Sequence, residues 1–304
     1  MAGRAGAELD TASESADRLE ALLHAMDAAF LAGDLPRLGG LGAEAARLAR
    51  RFGDARAECL AERGVAVAEL RRGQAACALA RLEAVLPVAR RVGDPELIMT
   101  LLGTFGTSAE MIGDTERSDQ ARLEVERIAR TTGDLVRLGG SIADRGSFLG
   151  LRGDDAAGRE LIHQGVEILR PLGMTPSLRW SLLQLSIVES RLRHVGQARA
   201  DLGEALPTTL EAEDPLMLTN IVGAVFELAL AEGRVADAEA LWPTLLSALR
   251  THGIYWQRAG FLERLAGWLV AATGRGSIVE RLEIEAAPSE RADLVAAIRG
   301  LLPD

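Results

Sequence analysis

The sequence predicts an all-α fold, a right-handed α-α superhelix of about six to seven helix pairs with about 40 residues in each. Three observations carry it. Gly-Asp pairs at Gly93-Asp94, Gly113-Asp114, Gly133-Asp134 and Gly153-Asp154 recur every 20 residues. The intervals between them read as amphipathic helices. The apolar content is aliphatic, 48% of residues being hydrophobic but only 4% aromatic, as close helix packing on Leu, Ala, Val and Ile requires. A Gly just past a helix can adopt the left-handed conformation that closes it, and the following Asp can accept the unpaired amide hydrogens that open the next.

The ladder extends back through Gly73-Gln74, Gly53-Asp54 and Gly33-Asp34, forward to Gly173, and returns at Gly233 and Gly253. Residues 1–9 read as a disordered leader and 10–274 as one repeat array. Helices are expected over 10–32 and 35–52, then as pairs at 54–72 with 74–92, 95–112 with 114–132, and 134–152 with 154–170. Pro95 suits a first helical position, where no amide hydrogen is needed. After Gly173-Met174-Thr175-Pro176 the next inner turn is placed at Gly196, so three residues have been added before a helix over 176–195. A short helix at 197–212 restores the phase, followed by 215–232 with 234–251 and by 254–273. The segments 278–286 and 289–302, within a region of 275–304, cap the end of the stack, which would otherwise leave an apolar face in water.

Composition excludes several functions. No run of about 18 apolar residues could span a membrane and the N-terminus is not a basic leader, so a cytoplasmic location is expected. The formal charge of −10 opposes direct nucleic-acid contact, which draws on a basic surface. All 34 basic residues are Arg and Asn220 is the only Asn, a bias expected of a GC-rich bacterial genome of actinomycete type. Without lysine there can be no phosphate-binding loop of the usual kind, no pyridoxal imine and no Ser-x-x-Lys hydrolase, and no cofactor is expected. Cys59 and Cys77 fall on the two helices of one pair, open to a disulfide or to two unpaired small side chains.

No metal site is expected either. His24, His163, His194 and His252 lie on different repeats, and His163 with Glu167 makes a helix-surface pair. Gly139-Gly140-Ser141-Ile142-Ala143 lies inside a helix and lacks the second glycine of a nucleophile elbow, so its role is close helix contact.

The residue five after the inner glycine is small at Ala78, Ser118, Gly158 and Ala238, where the paired helices cross, though Leu38 and Asp201 depart from this. With Leu102-Gly103 and the run Gly233-Arg234-Val235-Ala236-Asp237-Ala238-Glu239-Ala240-Leu241, the pattern over about 30–275 resembles the tetratricopeptide repeat. Its spacing is most similar to the 40-residue repeats of large bacterial LuxR-type and antibiotic-regulatory activators, without their nucleotide-binding or helix-turn-helix domains. The resemblance implies a scaffold that binds a partner or effector in a concave groove.

In such arrays the first helix of each pair lines the inner surface. Aligning the pairs at their glycines brings Arg63, Thr104, Asp144, Gln184, Asn220 and Glu227 to this face, with Arg145, Thr107 and Ser147 close by. Trp180, Trp256 and Trp268, with Tyr255, either wall a pocket or pack the core, and they make 176–270 the half to search. Two functions follow. One is a binding scaffold for a protein segment, a peptide or a small polar metabolite, in a regulatory or secondary-metabolism setting. The other is a non-standard enzyme or enzyme subunit of natural-product biosynthesis, with Asp144, Glu189 and Glu227 as acid-base candidates. Homodimerisation is left open.

Overall fold

The computed structural model describes residues 16–211, 215–252 and 261–274, with 294, 295 and 298. The expected leader, most of the expected capping segment, Tyr255 and Trp256 lie outside the described residues. Among the described residues there are thirteen α-helices and no strand. The chain divides into two compact units, 1–132 and 133–304.

The first unit holds α1 (Ala16–Leu31), α2 (Leu35–Phe52), α3 (Ala55–Arg71), α4 (Ala75–Val92), α5 (Pro95–Met111) and α6 (Thr115–Thr132). Each helix packs on the next, and the first helices of successive pairs, α1, α3 and α5, also pack on one another. The Gly-Asp turns do the work that their chemistry allows. Gly53 sits at φ 71° and Gly93 at φ 77°, the left-handed region that an L side chain enters at a cost. Asp34, Asp54 and Asp94 then accept the backbone N–H of Arg37, Ala57 and Leu97 in the following helix. The helix-crossing position is filled by Ala78 and Ser118, both fully buried.

The second unit holds α7 (Leu135–Arg152), α8 (Asp155–Leu169) and a single 3-10 turn (Arg170–Leu172), followed by α9 (Pro176–Arg191), α10 (Val195–Glu211), α11 (Pro215–Ala231), α12 (Val235–His252) and α13 (Phe261–Thr273). The α7–α8 pair is the tightest. A Cβ added at Gly146 would stand 2.6 Å from the Gly158 carbonyl oxygen, and one at Gly165 2.5 Å from that of Gly139, so only glycine permits this approach. Further along, Trp242 is buried against Phe226 with ring centroids 5.7 Å apart.

One expectation fails here. No three-residue insertion precedes α10, because α9 ends at Arg191 and the next turn is at Arg193, not Gly196. Arg193 has φ 64°, the one non-glycine with positive φ among the described residues, and lies 40 positions after Gly153 and 40 before Gly233. Its turn copies the glycine turns bond for bond. Arg193 N–H donates to the Ser190 carbonyl and His194 N–H to that of Glu189, as Gly113 donates to Glu110 and Asp114 to Ala109. The ladder therefore runs unbroken through an arginine. The small residue five later is Ala198, fully buried, so Asp201 is no exception to the crossing rule.

Candidate functional site in the C-terminal unit

The first helices α7, α9, α11 and α13 form one layer of the second unit, with α9 packed on both α7 and α11 and α13 on α11. Their shared phase brings a polar row together. Ser147 from α7, Gln184 from α9, and Thr219, Asn220 and Glu227 from α11 line a small cavity of about 50 Å³, whose remaining wall includes Val188, Leu245 and Leu265. A second cavity of about 300 Å³ adjoins it, lined by Asp155, Arg191, Arg193, Glu227, Leu230 and Trp268 among others. Arg191 and Glu227 belong to both walls.

These two side chains form a bidentate pair. Arg191 Nε donates to Glu227 Oε2 at 2.6 Å and Nη2 to Oε1 at 2.7 Å, with only 10% and 6% of the side chains exposed. The same guanidinium reaches Asp155 Oδ1 and the Gly150 carbonyl, both at 3.4 Å, and lies over the Trp268 ring at 4.8 Å from its centroid. Each of the three guanidinium nitrogens of Arg191 thus donates to a protein group. Burial pushes the Glu227 carboxyl upward in pKa, and the charge and hydrogen bonds of Arg191 oppose that push.

Arg193 behaves differently. It is exposed, and its Nη1 donates to the carbonyls of Leu230 and Ala231, at 3.1 Å each, in the last turn of α11. A left-handed arginine costs about 1–2 kcal/mol relative to glycine. Those two bonds, which cap the carbonyl end of α11, are the visible compensation.

The other predicted residues are dispersed. In the first unit Arg63 Nε donates to Thr104 Oγ1 at 3.1 Å, linking successive first helices, and Arg63 lines a cavity of about 200 Å³ with Leu23, Met26 and Phe30. Thr107 bonds back to its own helix at the Gly103 carbonyl. Asp144 and Arg145 are half-buried on α7, engaged with neighbours, and line neither cavity of the second unit. Trp180 is half-buried and also lines neither, whereas Trp268 walls the larger one. Glu189 is fully buried and held by Arg159 at 2.7 Å and by His194 Nδ1 at 2.5 Å. Each of Glu189 and Glu227 is therefore paired with its own cation, which does not suit two carboxylates sharing acid-base work.

Arg191, Arg193 and Asp155 were not anticipated. A charged residue on a helix face normally faces solvent, which hides Arg191 and Asp155. Arg193 had a signal, its place in the glycine ladder.

No family model matches the chain, and no curated protein sequence matches it. Solved structures do. The apo form of RapI is 12% identical, with 93% of this chain and 99% of that one covered at a TM-score of 0.66. A Rap protein complexed with Competence and Sporulation Factor is 12% identical, covering 84% and 76% at 0.61. A signal-transduction ATPase with a tetratricopeptide repeat sensor from Pyrococcus horikoshii is 14% identical, covering 93% of this chain and 44% of that one at 0.57. The chain has a tetratricopeptide-like repeat fold. At these identities the likeness concerns the repeat alone, and the site rests on its own geometry. Within the repeat, first helices supply most of the walls of both cavities in the second unit, with Asp155 of α8 and the turn residue Arg193 added to the larger one and Leu245 and Leu249 of α12 to the smaller. No helix among the described residues is long and apolar enough to cross a membrane.

Proposed function

We propose that the chain is a non-enzymatic binding scaffold, holding a protein segment, a peptide or a small polar effector against the first helices of its C-terminal unit. The observation that carries this is the convergence of Ser147, Gln184, Asn220 and Glu227 on one cleft opening beside a cavity of about 300 Å³, the lower end of ligand-site volumes. A few placed amide, hydroxyl and carboxylate groups in an otherwise apolar wall are what orients a ligand. The likeness to a Rap protein crystallised with Competence and Sporulation Factor supports a peptide or protein as the occupant. Asp144, Arg145 and Trp180 are secondary contacts in this reading, Arg63 and Thr104 form a separate candidate surface of the first unit, and Trp256 lies outside the described residues. A cytoplasmic regulatory or secondary-metabolism setting fits the composition.

The test is partner capture from the producing cell, with the wild-type chain and a Gln184→Ala/Asn220→Ala variant compared. A partner retained by the first and lost by the second is expected. Equal retention by both would remove the site from this face.

A further inference from the structure

The cavity of about 300 Å³ is bounded by the final turns of three helices: Ser190 and Arg191 of α9, Leu230 and Ala231 of α11, and Ala271 and Ala272 of α13. We propose that it binds an organic cation, a guanidinium or primary ammonium group, in competition with the chain's own Arg193. This rests on the scaffold reading and names the chemistry its C-terminal unit recognises.

Three features of the wall favour positive charge. Each helix C-terminus carries roughly half a negative charge on its last carbonyls, and three meet here. Asp155 and Glu227 add two carboxylates to the lining. Trp268 presents its ring face, the side that attracts cations, and a guanidinium already lies over it. The formal charges of Asp155, Glu227, Arg191 and Arg193 cancel, and the three helix C-termini outnumber the one N-terminus in the wall, that of α8 at Asp155, so the helix ends leave the cavity negative. Arg264, also on α13, supplies a further positive charge that acts on Glu227, but it is turned to the Leu151 carbonyl. The chain's net charge of −10 draws cations toward the surface.

The two arginines in the wall differ in how firmly they are held. Arg191 is buried and bidentate, and is part of the structure. Arg193 is exposed, bonds only through Nη1, and stands on a backbone conformation that disfavours it. It occupies the carbonyl end of α11 as a tethered cation that an incoming one can replace. Glycine fills the equivalent turns one repeat before and after, at Gly153 and Gly233, so Arg193→Gly removes the competitor while restoring the ladder's own residue.

Isothermal titration calorimetry on the full chain tests this with agmatine, with acetyl-Gly-Arg-Gly-amide, and with the neutral acetyl-Gly-Gln-Gly-amide. A cationic probe is expected to bind and the neutral peptide not. Arg193→Gly, its helicity checked by circular dichroism, is expected to tighten cation binding by about threefold or more, and Asp155→Asn to weaken it by a similar factor. Tighter agmatine binding identifies a free metabolite as the source of the cation, and tighter binding of the arginine peptide identifies a side chain. No heat from either cation at about 10 mM with Arg193→Gly, equal binding of the neutral peptide, or weaker cation binding by Arg193→Gly would each overturn the proposal. Partner capture dependent on Gln184 and Asn220 would survive that failure, which separates this inference from the scaffold reading.

Discussion

The Arg191–Glu227 pair should be the most consequential polar contact of the C-terminal unit, and a double-mutant cycle measures it. With side chains 10% and 6% exposed, neither group has the solvent that reduces a surface pair to about 0–1 kcal/mol. Removing one partner strands the other charge in the interior, at a cost of about 3–5 kcal/mol. Arg191→Met should approach the upper end, because it leaves the buried Glu227 carboxylate without its guanidinium and beside Asp155. Glu227→Leu should fall lower, since Asp155 and the Trp268 ring still face the guanidinium. The double variant removes both charges and both desolvation costs, and should return to within about 1–2 kcal/mol of the wild type. Tryptophan fluorescence is the right reporter, because Trp180, Trp242, Trp256 and Trp268 all lie in the second unit, so urea unfolding followed this way isolates it. With a slope of about 2 kcal/mol/M, the single variants should shift the midpoint by about 1.5–2.5 M. Single substitutions that each cost under about 1 kcal/mol, with additive effects in the double variant, would refute the reasoning and make the pair an ordinary surface contact.

Asp201 on α10 is 2% exposed, accepts a hydrogen bond from Gln197 at 2.9 Å, and has a second oxygen with no partner. Burial raises its pKa to about 6, with Glu189 adding to the rise and Gln197 opposing it. Since this lies above the unfolded value, its contribution is present below about pH 4 and lost as pH rises through 6, by up to about 3 kcal/mol. Asp201→Asn should flatten that part of the stability–pH curve, and an unchanged slope between about pH 4 and 6 would count against it. Gly146→Ala should destabilise by several kcal/mol, about 3 or more, because its Cβ would enter the Gly158 carbonyl. Gly203→Ala on α10, with nothing within 4 Å, should stabilise by about 0.5–1 kcal/mol, and thermal melts that reverse this order would dispute the packing. Cys77 is exposed whereas Cys59 is buried with its thiol raised to about 11, so a maleimide should label the first rapidly and the second only on unfolding.

The fold was legible because its punctuation is local chemistry. A left-handed turn asks for glycine and an exposed helix start asks for a carboxylate, and Asp54 and Asp134 meet that demand within three residues. The close approach of α7 and α8 was legible too, since Gly139-Gly140 inside a helix has little other use. What misled was the same rule applied too strictly. At Arg193 local preference points away from a turn, and Gly196, three residues later, offers a tempting substitute. The left-handed arginine is held by carbonyls at Leu230 and Ala231, which no local pattern contains.

The site divides along the same line. Gln184, Asn220, Glu227 and Ser147 could be assembled from phase alone, because a stack of equal helix pairs brings like positions of neighbouring repeats together. Arg191 could not, because seen on its own helix it is one more charged residue. Yet the pairings that matter are spaced by about one repeat: Arg63 meets Thr104 at 41 residues, Arg191 meets the Gly150 carbonyl at 41, and Arg191 meets Glu227 at 36. In a repeat fold, then, a charged residue on a first helix should be judged against what stands one repeat before and after it. Where a complementary charge is found there, burial of the pair follows from stacking. Where the repeat's own turn residue is displaced by something costly, as glycine is by Arg193, the contact that compensates marks the place where the scaffold departs from mere repetition.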